Sequence, residues 1–225
     1  FVPVSALHGD NVVTRSLNTP WYQGPSLLHH LEEVHIASDR NLIDVRFPVQ
    51  YVIRPHSDQW HDYRGYAGTV AGGVMKPGDE VMVLPSGFTS TIAAIETMDG
   101  PLAEAATGQS VTVRLTDEID ISRGDMICRP ANQPHVGQDI DAMVCWMSEV
   151  WSLRSRDKLV IKHTTRTTRS RVVALGYRLD VNTLHRDKSA TALKLNELGR
   201  VTLRTQVPLL LDEYSRNSAT GSFIL

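Results

Sequence analysis

The feature that most constrains this chain is a series of short alternating segments that begins near Leu42. In the segment SVTVRL, Val111, Val113 and Leu115 fall on one face, and polar side chains fall on the other. The segment RVTLRTQVPLLL, residues 200–211, begins with the same alternation. A period of two predicts β-strands with one buried face.

Glycine and proline separate these segments, as in KPGDE and LPSG, and such residues are typical of turns. Many short strands joined by turns favour a closed or sandwiched β-structure, because closure hides strand edges. The segment GYAGTVAGG lacks the lysine and the strand-to-helix context of a phosphate loop, so it predicts turns and close strand approach. The stretch RPANQPHVGQDID is the predicted linker, and it leaves two halves of about 90–95 residues, each suited to one small barrel.

The first three dozen residues follow a different pattern. The segment PSLLHHLEEV places four apolar side chains at helical spacing: Leu27, Leu28, Leu31 and Val34. Pro25 and Ser26 are typical of a helix start. One amphipathic helix is therefore predicted before the β region.

Composition narrows the possible functions. With 41% hydrophobic and 21% charged residues the chain is typical of a globular protein, and its net charge of −2 gives no basic footprint for nucleic acid or an anionic membrane. No apolar run approaches the roughly 18–20 residues of a membrane span. Cys128 and Cys145 lie in apolar segments, which predicts two buried free thiols in a reducing, cytoplasmic setting.

Three long segments together carry a family resemblance: SALHGDNV with PWYQGPSLLHHLE, RGYAGTVAGGVMKPGDEVMVLPSG, and GRVTLRTQVPLLLDEYSRNSATGSFIL. The chain resembles the translation-factor-type GTPases, the group that contains elongation factor Tu. Within that group it resembles the GTPase subunit of bacterial sulfate adenylyltransferase, including the form fused to an adenylylsulfate kinase. The resemblance covers essentially all 225 residues.

The resemblance implies a mainly all-β fold of two consecutive barrels of the elongation-factor domain II/III type, after an α/β remnant of a GTPase domain. Residues 1–36 would be that remnant, residues 37–132 the first barrel and residues 133–225 the second. The full-length protein would use GTP and Mg²⁺ to drive the reaction of ATP with sulfate. A separate small catalytic subunit would be its partner.

The same resemblance assigns PVSAL to a guanine-recognition loop. Ser5 would buttress the loop, the Ala6 amide would donate to the guanine carbonyl, and Leu7 would pack beside the base. The chain contains neither GxxxxGK[ST] nor NKxD, so the loop is expected to be vestigial here and no catalytic residue or cofactor is assigned to this chain alone.

Three further residues are predicted to contact a partner: Trp60 in a polar loop, and Arg166 and Arg169 in KHTTRTTRSR. No metal site is predicted, because the spacing of His29 and Glu33 does not match a zinc motif. The alternative function is an elongation-factor-like barrel pair that binds RNA or protein, although the net charge disfavours RNA. A third possibility is a barrel pair that serves only as a scaffold.

Overall fold

The structure is a computed structural model that describes residues 1–34, 41–55 and 63–225. It divides into two compact units, Phe1–Arg40 and Asn41–Leu225. The described part of the first unit is mostly loop and contains one helix, α1 (Leu27–Glu33). The described part of the second unit consists of strands and turns.

Helix α1 begins where the sequence predicts. Ser26 is its N-cap, and the Ser26 Oγ accepts a hydrogen bond from the His29 amide at 3.4 Å. This contact satisfies one of the free amides of the first turn. No residue of α1 is buried, and Leu28 and Leu31 remain 42% and 60% exposed. The predicted helix is confirmed, and its apolar face is open.

Over residues 41–55 and 63–132, the first barrel of the second unit has nine strands. In chain order they are β1 (Arg46–Ile53), β2 (Gly65–Thr69), β3 (Val74–Met75), β4 (Glu80–Leu84), β5 (Phe88–Thr97), β6 (Gly100–Leu102), β7 (Ala105–Ala106), β8 (Ser110–Leu115) and β9 (Met126–Cys128). The main sheet runs β4-β9-β1-β2-β8-β5-β6, and a β4–β5 pairing closes it into a ring. Strands β3 and β7 form a separate pair. The predicted closed β-structure is confirmed for this half.

The interior of this ring is filled by side chains from the inward face of each strand. Phe47, Ile95, Val113 and Ile127 have no exposed surface. A Cβ atom at Gly68 would lie 2.5 Å from the Pro48 carbonyl oxygen, so β1 and β2 approach each other more closely than a larger residue would allow. The interpretation of GYAGTVAGG as close strand approach is therefore confirmed.

The second barrel has seven strands. They are β10 (His135–Cys145), β11 (Leu153–Arg154), β12 (Lys158–His163), β13 (Arg166–Leu179), β14 (Arg186–Asp187), β15 (Ala192–Leu193) and β16 (Leu198–Leu211). The main sheet runs β10-β16-β13-β12, with β14 beside β13 and a separate β11–β15 pair. On the other edge of β12, the backbone of Lys162 forms an isolated β-bridge with that of Ile224. The core includes Ile161, Val172, Val201, Leu203 and Leu209.

The fold class predicted from the sequence is confirmed, since the chain is nearly all β. The predicted linker is too long, because β10 begins at His135 and takes in its second half. Gly137, Gln138 and Asp139 interrupt the apolar alternation there, so the sequence pattern gives no strand signal. The domain boundaries at residues 36 and 132 stay a prediction. Among the described residues, no helix has the length and apolar character needed to cross a lipid bilayer.

The prediction of two buried thiols is wrong for one of them. Both cysteines are free, but Cys128 is buried in β9 whereas Cys145 is exposed at the end of β10. The alternation of β10 explains the difference, because it turns Ile140 and Val144 into the core and the next residue outward. Burial raises the pKa of the Cys128 thiol to about 11.

We expect iodoacetamide to alkylate Cys145 and to spare Cys128 in the folded chain. The thiolate is the nucleophile, and Cys128 has neither the accessibility nor the pKa to supply it near neutral pH. Mass spectrometry of the native protein should show one carbamidomethyl group, and Cys145→Ser should abolish it. Modification of Cys128 at a similar rate would contradict the buried position of β9.

Candidate functional site

The loop Ser5–Asp10 is the segment to which the resemblance assigns guanine recognition. The Ser5 amide donates to the Asp10 carbonyl at 3.2 Å, and the Gly9 amide donates to the Ser5 carbonyl at 2.8 Å. The Ser5 Oγ accepts from the His8 amide at 3.4 Å. The loop is therefore closed by its own backbone, and Ser5 lies at its base.

Ala6 and Leu7 form the tip of this loop. Ala6 is exposed and Leu7 keeps 88% of its surface in solvent. Within the described ranges, the Ala6 amide has no hydrogen-bond acceptor. A free backbone N–H can donate to the carbonyl of a planar base, and an exposed apolar side chain beside it can pack against the face of the same base. The structure thus brings Ser5, Ala6 and Leu7 together, while their roles stay a prediction.

Asn11 organises the loop, and sequence reasoning did not identify it. It is 1% exposed and adopts a positive φ of 56°. Its Nδ2 donates to the Pro3 carbonyl and to Thr19 Oγ1, both at 2.8 Å, and its Oδ1 accepts from the Ser16 amide at 2.8 Å. Asparagine is one of the few non-glycine residues that tolerate this conformation. Asn11 therefore ties the segment before the loop to the segment after it.

Asp10 adds a fixed negative charge at the base of the same loop. Its Oδ1 accepts from Ser16 Oγ at 2.5 Å and from Asn18 Nδ2 at 2.9 Å. These two hydrogen bonds hold the pKa of the Asp10 carboxyl below its ordinary value. The carboxylate stays ionised at neutral pH and keeps the following segment in place.

A second set of polar contacts joins the two barrels. Arg46 has no exposed surface, and its guanidinium pairs in bidentate fashion with Asp212, Nε to Oδ2 at 2.7 Å and Nη2 to Oδ1 at 2.9 Å. Nη1 also donates to the carbonyls of Val45 and Asn132. Thr220 Oγ1 donates to Asp212 at 2.7 Å. Burial without these partners would be costly, so the network fixes Arg46 and Asp212 relative to each other.

Asp44 and Arg216 form a neighbouring ion pair between the barrels. The Asp44 side chain is 4% exposed, and Arg216 donates to both of its oxygens at 2.6 and 2.8 Å. Asn41 and Asn132 donate to the same carboxylate. The hydrogen bonds from Arg216 hold the pKa of Asp44 well below its usual range, and they raise the pKa of Arg216. Two carboxylates and two guanidiniums thus meet at this interface.

An apolar cluster supports the same interface. Leu84, Met126 and Cys128 from the first barrel pack with Leu210 from the second, and all four are buried. A polar network beside an apolar cluster resists both sliding and separation of the two barrels. These contacts link the two barrels within the second unit.

The three predicted partner contacts have different surroundings. Arg166 is partly buried between the barrels, where Nη2 pairs with Asp125 at 2.8 Å and Nη1 donates to the Pro208 carbonyl at 3.2 Å. Arg169 is exposed on β13. Trp60 lies outside the described residues. The partner-contact role of all three stays a prediction.

His163 lies behind this interface and is 1% exposed. Its Nε2 is 2.8 Å from the Thr220 carbonyl oxygen, so Nε2 carries a hydrogen and donates. Burial lowers the pKa of His163, and the bond to Thr220 and the charge of Asp212 oppose this shift. The neutral ring is therefore the folded form near neutral pH.

Stability should fall as the pH drops from about 7.5 to about 5.5, because unfolded His163 binds a proton that the folded ring resists. The loss begins near the ordinary histidine pKa of 6.5 and continues down to the folded value. His163→Gln keeps a donor for Thr220 and should reduce this pH dependence, measured by urea unfolding at both pH values. The exposed His185→Gln is the control. An unchanged slope in His163→Gln would contradict the prediction.

Metal ligands do not cluster in residues 1–34, 41–55 or 63–225: no group of three or more His, Cys, Asp or Glu is placed to hold an ion. His29 and Glu33 pair with each other on the exposed side of α1 at 3.2 Å. This is the solvated helix face that the spacing indicates.

Comparison with known proteins shows what the chain is similar to. The family described as GTP-eEF1A C-terminal domain-like matches residues 139–225. The bifunctional enzyme CysN/CysC of Mycobacterium tuberculosis (strain ATCC 25618 / H37Rv) is 67% identical over 224 residues, 100% of this chain and 36% of that protein. Sulfate adenylyltransferase subunit 1 of Bacteroides fragilis (strain YCH46) is 48% identical over 224 residues, 100% of this chain and 46% of that protein. The chain spans less than half the length of either relative.

The fold has a counterpart among solved structures. The crystal structure of Sup35 complexed with GDP matches with a TM-score of 0.73 at 23% identity, covering 98% of this chain and 54% of that one. At this identity the match shows the fold alone. It confirms the elongation-factor-type barrels, and the relatives confirm the resemblance seen in the sequence.

Proposed function

We propose that this chain, which is related over its whole length to sulfate adenylyltransferase subunit 1, is part of the GTP-hydrolysing regulatory subunit of that enzyme. The full-length protein would couple GTP hydrolysis to the reaction of ATP with sulfate, which gives adenosine 5′-phosphosulfate and diphosphate. The observation that carries the proposal is identity of 67% to the bifunctional enzyme CysN/CysC and of 48% to sulfate adenylyltransferase subunit 1, each across 100% of this chain. Formation of the phosphosulfate anhydride is uphill, so a coupled hydrolysis would offset it.

The guanine base would be read by the loop tip. The Ala6 amide would donate to the guanine carbonyl, with Leu7 against the ring and Ser5 at the loop base. The free Ala6 amide and the exposed Leu7 support this assignment, because both groups can meet a base without displacing a protein contact. Adenine offers an amino group where guanine offers its carbonyl, and an unpaired buried donor costs about 1–3 kcal/mol.

The rest of the nucleotide would be held elsewhere in the full-length protein. GTP phosphates and Mg²⁺ need a phosphate loop and magnesium ligands, and this sequence has no GxxxxGK[ST] segment. Adenylyl transfer from ATP to sulfate would take place on a separate small catalytic subunit in the cytoplasm. This chain would contribute the base-reading edge and the barrels.

The barrels would transmit the nucleotide state as a single rigid body. The Arg46–Asp212 and Asp44–Arg216 pairs support this role, because a relative shift of the barrels would break buried charge-assisted bonds. Exposed Arg169 is available for contact with the small subunit, and we retain Trp60 and Arg166 as further contacts. Arg166 would have to act from its place beside Asp125.

The test is purification of the full-length protein with the small ATP-pyrophosphatase-type subunit of its own organism. We expect the two to co-purify, and we expect GTP to stimulate diphosphate release from ATP and sulfate. GDP is the matched nucleotide control. If the two proteins form a stable pair but GTP does not change the rate of diphosphate release, the coupling role is overturned. If they do not co-purify, the subunit assignment is overturned.

The chain by itself should neither hydrolyse GTP nor bind it with micromolar affinity. The loop Ser5–Asp10 would contact only the base, whereas most nucleotide affinity comes from phosphate and magnesium contacts. Isothermal titration calorimetry with GTP and GDP measures this directly. Micromolar binding by residues 1–225 would contradict it.

RNA binding by the barrels is less favoured. Arg166, one of the two arginines that this alternative needs, is committed to Asp125 and the Pro208 carbonyl. Salt-sensitive RNA binding that is lost on replacing Arg166 and Arg169 would favour the alternative.

A further inference from the structure

Three cations lie side by side across the outer face of the second barrel. Lys158 on β12 is directly opposite Arg171 on β13, and Arg171 is directly opposite Arg204 on β16. All three side chains are exposed. We call these three residues the cationic row. Directly opposite residues on antiparallel strands have their Cβ atoms about 4.5–5.5 Å apart, so the three charges are neighbours.

The cationic row is poorly neutralised. Arg204 pairs with Asp139 at 3.2 Å, and both side chains are more than 60% exposed. Within the described part of the chain, Lys158 and Arg171 have no ion pair or side-chain hydrogen bond. Farther along β16, Arg200 forms a shorter ion pair with Asp141, at 2.8 Å. Like charges directly opposite one another destabilise a sheet, so the row is not explained by folding.

The row borders an open groove of about 920 Å³. Its lining contains further cations, Arg156 and Arg169, and no carboxylate. Between the cations lie two aliphatic side chains, Val160 and Val173, which are 56% and 50% exposed. The groove therefore combines concentrated positive charge with exposed apolar surface in a chain whose net charge is −2.

We propose that this groove binds an acidic protein segment that presents carboxylates to the cationic row and aliphatic side chains to Val160 and Val173. Charge complementarity identifies the partner's chemistry, since two of the three cations of the row lack a counter-ion. The groove has no aromatic side chain in its lining, and base stacking is what single-stranded nucleic acid requires of such a surface. The inference does not depend on the reaction proposed above.

The test measures binding of a fluorescein-labelled peptide of about twelve residues in which glutamate and valine alternate. A glutamine–valine peptide of the same length is the neutral probe, and an oligouridine of about twelve nucleotides is the nucleic-acid probe. Anisotropy titrations should show binding of the acidic peptide that weakens with salt. Arg171→Gln, at the centre of the row, should raise Kd at least about fivefold, as expected for loss of one charge-assisted contact.

Lys188→Gln is the matched control, because Lys188 is exposed on the same barrel outside the groove and its loss changes the net charge equally. We expect it to leave Kd unchanged. Arg171→Gln should melt no lower than the wild type, since it relieves repulsion within the row, and this excludes misfolding as the cause of weaker binding. Equal Kd values for the two variants, equal binding of the neutral peptide, or no binding of the acidic peptide would overturn the proposal. Tighter, Arg171-dependent binding of oligouridine would replace it with a nucleic-acid surface.

Discussion

Replacing Arg46 with methionine should lower the free energy of unfolding by about 3–5 kcal/mol. Methionine keeps most of the buried stem but removes the guanidinium. Asp212, whose side chain is 5% exposed, would keep one described side-chain donor, Thr220 Oγ1. An uncompensated buried carboxylate is costly because the interior solvates it poorly. Urea unfolding followed by tryptophan fluorescence should show a lower midpoint with an unchanged slope.

The matched control is Arg54→Met. Arg54 and Asp120 form an ion pair at 3.5 Å whose side chains are 47% and 94% exposed, so its loss should cost about 0.5 kcal/mol or less. The double variant Arg46→Met with Asp212→Leu should recover much of the lost stability, since an apolar replacement of both partners leaves no unpaired charge. A loss below about 1 kcal/mol in Arg46→Met, or a double variant no more stable than the single one, would contradict this account of the interface.

The Arg46 network also bears on how the barrels could work. In the full-length protein, a nucleotide-driven change that moved one barrel against the other would have to break the Arg46–Asp212 pair and open the apolar cluster around Leu210. Moving both barrels together breaks neither. A rigid two-barrel body would therefore be the less costly way to carry the proposed signal to the proposed subunit.

The strands were predictable because their alternation is local. Val111 and Val113 are buried on one face of β8, and Val201 and Leu203 are buried in β16, as the period of two requires. Helix α1 was equally predictable from its N-cap residue and from the helical spacing of its apolar side chains. Strand β10 was not, because Gly137 and two polar residues interrupt its apolar pattern. Strand β10 forms because its backbone pairs with β16, although its own sequence lacks a regular apolar alternation.

The inter-barrel contacts were not predictable, because they join residues that are far apart in sequence. Arg46 and Asp212 are separated by 166 positions, and nothing local marks Arg46 as buried. The sequence predicts Arg166 as a partner contact, and nothing local to it indicates the ion pair with Asp125, which is 41 positions away. The loop Ser5–Asp10 was assigned from the family resemblance. The one local signal for Asn11 was its residue type, since asparagine tolerates the positive φ found there.

Gly73→Ala should destabilise the second unit by about 3 kcal/mol, which is the sum of two effects. Gly73 has a φ of +75°, and an L-residue in that region costs roughly 1–2 kcal/mol. A Cβ atom there would also lie 2.7 Å from both the Cα and the amide nitrogen of Val45, and these are backbone atoms, which cannot move aside freely. Displacing Gly73 would disturb two backbone hydrogen bonds: the Gly73 amide donates to the Asn41 carbonyl, and the Gly73 carbonyl accepts from the Thr107 amide.

Gly78→Ala separates these two effects. Gly78 has a similar φ of +92°, but a Cβ atom there would meet nothing within 4 Å. This variant should therefore show only the conformational cost of roughly 1–2 kcal/mol, and the difference between the two variants measures the steric term. Urea unfolding of both proteins under one buffer condition gives that difference. Equal losses would mean that the strand beginning at Val74 yields without resistance, and that the close approach of Gly73 to Val45 does not hold the first barrel together.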